Sequence, residues 1–144
     1  MKPNNLIFVA LFVSAMTVNA QKGAADGSKY GHGEDSIRCL TNLSLYTEYF
    51  KQKSYSDAFP YWEIVFNECP LSQMSLYPNG AVIIKSFLDK ETDTAKKDEL
   101  YNYLLKVHDQ RIQYFGNNSK YPKAYILGIK AVDMLKYKKD DLAT

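Results

Sequence analysis

From about Asp35 to Tyr137, large apolar side chains recur every three or four residues. That period lines up one side of an α-helix, whereas a half-buried strand needs a period of two. No stretch reads as a hairpin of strands, so the chain is expected to be all-α. Short polar or proline-containing breaks divide the pattern. Helices joined by short turns must run antiparallel, which predicts a row of helical hairpins.

Five helices follow from the stripes and their punctuation. The first is predicted over Ser36 to Lys53, capped by Asp35 or Ser36 and carrying Ile37, Leu40, Leu43, Tyr49 and Phe50. A cap needs a short side-chain oxygen to accept an orphan backbone N–H. The second is expected to start at Ser56 or Asp57 and to stop at Pro70. Its stripe is Ala58, Phe59, Trp62, Val65, Phe66 and Cys69, with Pro60 in the first turn, where a missing N–H costs least. The third opens at Pro78 or Asn79 and ends near Lys90. The fourth runs from about Thr94 to Phe115 with two apolar sides, as a helix packed between neighbours would have. Gly116 is the expected C′ residue with positive φ. The fifth spans Tyr121 or Pro122 to about Lys138.

The stretch Cys39 to Pro70 resembles a tetratricopeptide (TPR) repeat. Leu45, Tyr49, Tyr55, Ala58, Trp62 and Pro70 stand where such a repeat carries its signature side chains. Asn42 replaces the leading aromatic, and bulky Tyr46 replaces a small residue, which implies looser packing or a terminal unit. Ala124, Leu127, Gly128 and Ala131 repeat the spacing of Asn42, Leu45, Tyr46 and Tyr49 near the other end. The resemblance implies hairpins stacked as a short right-handed array, with units at about 36–70, 77–116 and an incomplete 121–144. It also implies a groove lined by the first helix of each unit. In the first unit those residues are Leu40, Leu43, Thr47, Phe50 and Lys51. Some relatives clamp a terminal carboxylate with Lys, Asn and Arg. Leu43 and Thr47 occupy places where such a clamp needs Lys and Asn, so the expected partner is an apolar or extended peptide. The overall look resembles exported repeat proteins of Gram-negative anaerobes.

Residues 1–20 read as a secretory signal. Lys2 is followed by an apolar run from Leu6 to Ala15, broken by Ser14. Val18-Asn19-Ala20 forms a small-residue cleavage site before Gln21. The run is too short to span a bilayer comfortably, and no later segment is apolar enough. The alternative is an uncleaved anchor; no cysteine near the cleavage point suggests a lipid one. Residues 21–35 are rich in Gly, Ala, Ser and charge and are expected to be a disordered tail before the repeat domain of 36–144. An exported chain meets oxidising conditions, in the periplasm or envelope. Cys39 and Cys69 lie at facing ends of a hairpin centred on Ser54, which makes them expected disulfide partners, with two buried free thiols as the alternative.

The chain carries a formal charge of +2, and loss of a leader holding Lys2 and no acid leaves +1. That balance offers no reason to expect nucleic acid as a partner. No catalytic motif, phosphate loop or metal-ligand spacing occurs. Of the two histidines, His32 lies in GHGED and His108 within a helix, and nothing places a second histidine beside either. A metal site needs three or four convergent ligands. The twelve tyrosines fall mostly at core spacing. No catalytic residue, metal or cofactor is therefore expected, and a small exported enzyme is a distant alternative. Asp35-Ser36-Ile37 and Asp93-Thr94-Ala95 resemble the short O-glycosylation sequon of exported proteins in some Gram-negative anaerobes, which makes Ser36 and Thr94 candidate sites.

The expected function is a non-catalytic protein-interaction scaffold. The alternative is a structural N-terminal segment of a longer array with no ligand of its own. The tail from Lys138 to Thr144 is too short and polar to supply a covering helix. Ile126, Ile129, Val132, Met134 and Leu135 are thus expected to lack part of their intrachain cover. Further repeats, self-association through the last helix, or a partner would have to supply it.

Overall fold

The computed structural model describes residue 21 and residues 23–138; the signal reading of residues 1–20 and the tail beyond Lys138 lie outside the described residues. The chain forms five helices: α1 (Glu34–Lys51), α2 (Tyr55–Glu68), α3 (Leu76–Leu88), α4 (Thr94–Phe115) and α5 (Lys123–Tyr137). Each packs against the next, and no strand occurs among the described residues. None of these helices is long and apolar enough to cross a membrane.

The first hairpin is closed at both ends. Cys39 and Cys69 form a disulfide with their Cα atoms 6.2 Å apart. Beside it the Arg38 guanidinium donates twice to Glu68, at 2.8 Å each. Ala58 is fully buried where α2 crosses α1, and Tyr49 stacks on Tyr61 at 5.8 Å. At the turn, Lys53 adopts φ 58°, and Ser54 N–H reaches back to Tyr49 O at 3.0 Å. These backward bonds satisfy carbonyls that the end of α1 leaves free.

Trp62 is the centre of the core. It is fully buried, stacks on Phe66 at 4.9 Å and donates its Nε1–H to Leu76 O at 2.8 Å. That last bond ties α2 to the start of α3 and satisfies an indole donor that burial would otherwise orphan. Gly80 lets α3 approach the ring: a Cβ there would fall 2.1 Å from Trp62. From α4, Gln110 donates to Phe66 O at 2.8 Å, and Tyr103 packs its ring against Phe59, Trp62 and Phe66.

Several terminal details differ from the sequence reading. Neither Asp35 nor Ser36 caps α1; the helix begins at Glu34, two residues into the segment read as tail. Its N-cap is Gly33, with φ 58° and no side-chain bond. The glycine makes the turn, so no capping side chain is required. The second helix begins at Tyr55, which places Pro60 in the second turn rather than the first. Pro60 and Ser56, whose carbonyl loses its partner there, are both exposed, so water can satisfy it. The third helix begins two residues before Pro78, whose missing N–H still falls in the first turn. Gly116 does not take positive φ; it is right-handed at φ -64°. The chain turns instead at Asn118, whose Oδ1 accepts from Lys120 N–H and Tyr121 N–H. The bounds of α4 agree with expectation, and Asp93 caps it by accepting from Lys96 N–H at 2.9 Å.

Burial raises the ionisation of the Tyr46, Tyr77 and Tyr103 hydroxyls above 10.0, the Glu63 carboxylate adding to the effect at Tyr103. The unfolded chain releases these protons near 10.0, whereas the native state holds them. Their stabilisation is therefore complete below that pH and lost as pH rises beyond it. Urea midpoints should be flat to about pH 9 and then fall. Part of the tyrosinate absorbance should rise only together with loss of helical circular dichroism. Full tyrosine titration ahead of unfolding would contradict this.

Candidate functional site

Two hollows meet on the side shared by α3 and α5. One, of about 520 Å³, is walled by Ala124, Tyr125, Gly128, Ile129 and Val132, with Lys85 and Asp133 at its base. The other, of about 490 Å³, continues past the same lysine to Tyr55, Val82, Ser86, Asp89 and Lys136. Both volumes suit part of a peptide or a small ligand. A third cleft, of about 630 Å³, lies across the molecule between α2 and the start of α4. There the Tyr103 hydroxyl donates to Glu63 at 2.9 Å, so the polar group nearest the aromatic wall already has its partner.

Asp133 joins three helices. Its carboxylate is 4 % exposed, receives Lys85 Nζ from α3 at 3.2 Å, and lies 2.8 Å from His108 Nε2 of α4. Burial pushes its ionisation up, but the His108 hydrogen bond and the Lys85 charge outweigh that, and the carboxyl sits below its ordinary value. The neighbouring lysines are likewise engaged. Lys136 binds Asp89 at 3.1 Å and Tyr137 at 2.7 Å, and Lys130 binds Asp109 at 2.5 Å. These α3–α5 hollows therefore lack a loose cation of the kind an acidic tail would seek.

The predicted groove residues share one face of α1. Leu40 is exposed, Leu43 and Thr47 are half-buried, and Lys51 is exposed and paired with Glu48 at 2.9 Å. Phe50 packs on Tyr55 at 5.5 Å, and Tyr55 lines the second hollow, which joins this face to α3. Among the signature residues, Ala58, Trp62 and Pro70 are buried, and Tyr49 and Tyr55 pack against the core. Leu45 and Leu127 are exposed, as is Gly128, where a Cβ would meet nothing within 4 Å. Ser36 lies partly buried in the first turn of α1, whereas Thr94 is exposed as the first residue of α4.

The outer side of α5 is uncovered among the described residues. Tyr125, Leu127, Val132 and Leu135 are 45–64 % exposed, and Ala124, Gly128 and Ala131 lie between them. At 3.6 residues per turn these seven fill an arc of about 160° with no charge in it. Ile126, expected to be short of cover, is instead fully buried, because it faces the opposite way, in register with Asp133. No protein-family model matches the chain, and neither a curated protein nor a solved structure matches it. Function must therefore be argued from these residues.

Two residues of the site were not singled out from the sequence. Asp133 falls in the buried register of α5 with Ile126 and Ile129, and an acid on an apolar stripe signals a buried cationic partner. Arg111 stands in helical register with Leu100, Leu104 and Val107 on one side of α4, and it is 5 % exposed.

Proposed function

We propose that the chain is a non-catalytic protein-interaction module built from TPR-like hairpins, exported to the periplasm or envelope of a Gram-negative bacterium. The observation that carries this reading is the pair of adjoining hollows, sharing Lys85, Val132 and Asp133, that run from Tyr55 past Val82 to Val132 and Tyr125. Its ionic groups are committed to one another, which suits holding a peptide rather than transferring a proton. The leader-like first 20 residues and the disulfide support export. Thr94 is the more accessible of the two candidate glycan sites.

Introducing a charge into the depression tests the proposal. Val82 is 38 % exposed, so Val82→Glu should leave the fold intact. Envelope extract passed over the immobilised wild-type protein should yield a specific partner, with binding reduced at least tenfold by Val82→Glu at unchanged helical circular dichroism. A second reading, a structural segment of a longer array, is favoured by the bare side of α5. It anticipates no partner that depends on Val82.

A further inference from the structure

Arg111 is a buried cation without an anion. Its Nε is sealed from solvent and has no hydrogen-bond partner, and no carboxylate pairs with the guanidinium among the described residues. What surrounds it is aromatic. Tyr121 presents its ring 5.8 Å from the guanidinium carbon and packs against Tyr125 at 5.2 Å. Lys120 Nζ lies 5.3 Å from the same Tyr121 ring, which adds a second cation at this corner. Desolvation pushes the Arg111 ionisation below its ordinary value. A guanidinium buried this way costs stability unless an anion meets it.

We propose that Arg111, Lys120, Tyr121 and Tyr125 form a carboxylate-binding corner. It receives an Asp or Glu side chain of a partner polypeptide whose apolar residues lie along the open side of α5. The inference rests on the reading of the chain as an interaction module and names what its partner must carry. Tyr125 belongs both to this corner and to the apolar strip, so one ligand segment can engage both. The terminal nitrogens of the guanidinium, which are not sealed as Nε is, can meet a carboxylate with two parallel bonds. The tyrosine pair favours an anion carried on an organic body over a bare ion.

The strip is too small for a second copy to be the occupant. It spans about 18 Å along one helix about 10 Å wide, against roughly 800 Å² per partner in a stable interface. A short segment with a complementary charge fits it better.

The test uses the purified chain and a fluorescein-labelled leucine-rich peptide with one Glu, beside its Gln twin. Fluorescence anisotropy should show the Glu peptide binding at least tenfold more tightly than the Gln peptide. Arg111→Met should erase that difference, and Arg111→Lys should retain part of it. Because Arg111→Met removes an uncompensated buried charge, its melting temperature without peptide should rise. Equal binding of the two peptides, or a fall in melting temperature on Arg111→Met, would overturn the proposal. Competition by inorganic phosphate as effective as by unlabelled Glu peptide would overturn it too, as would a chain that light scattering shows to be a dimer through α5. The interaction module itself fails separately, if partner capture is indifferent to Val82→Glu.

Discussion

Replacing Asp133 with alanine is expected to cost about 3 kcal/mol, because it strips the hydrogen-bond partner from buried His108 and from half-buried Lys85 at once. His108 is 2 % exposed, and the side chain of Lys85 is 30 % exposed, so His108 bears most of the loss. Urea unfolding of Asp133→Ala should show a lower midpoint with an unchanged slope. Asp133→Asn should fall between it and the wild type, since an amide still hydrogen-bonds. Acid should act in the same direction. The folded carboxyl ionises below 3.8, its ordinary value. Its contribution is complete above that pH and drains away as pH falls through the lower, folded value. The alanine variant should therefore lose less stability between pH 5 and pH 2 than the wild type (both values marking roughly the range in which carboxylates titrate). Equal acid sensitivity of the two would show that Asp133 is not the controlling carboxylate.

Reduction of the Cys39–Cys69 bond should have a comparable effect. The two residues are separated by 30 positions, and a closed loop of that length is worth about 3.5 kcal/mol on chain-entropy grounds. The melting temperature should drop by on the order of 15 °C. The double replacement Cys39→Ala, Cys69→Ala should drop it slightly further, because both side chains are fully buried. Scanning calorimetry with and without reductant measures both, and coincident melting curves would refute the expectation. Protein isolated from its native host should gain two hydrogens in mass on reduction.

What could be read from the sequence was whatever depends on neighbours along the chain. Helical period fixed the five helices and the extent of α4. Ser54 as the centre of a hairpin placed Cys39 opposite Cys69. Helix ends were less legible, because competing local solutions exist. Gly33 turns the chain ahead of the capping candidates Asp35 and Ser36, and Asn118 turns it beyond Gly116. The ionic centre was illegible for a different reason. Asp133 meets His108 across 25 residues and Lys85 across 48, and no periodicity encodes which charge finds which. Arg111 is illegible for a related reason: it shares a helix side with Leu104 and Val107, and only the burial of its Nε without a hydrogen-bond partner shows what it lacks.

The neighbour-to-neighbour packing of the five helices bears on how the chain comes apart. Every major helix contact joins elements consecutive in sequence, so no part of the fold waits on a distant segment to close it. Such topologies have low contact order and assemble quickly. They also need not open all at once. The hairpin of α1 and α2 is held by a covalent link and by the ring cluster around Trp62. At the other end, α5 packs chiefly on α4 and is tied to α3 through Asp133 and Lys136, with Ile126 its fully buried anchor. Amide exchange is therefore expected to be fastest in α5, the helix a bound segment would do most to hold in place.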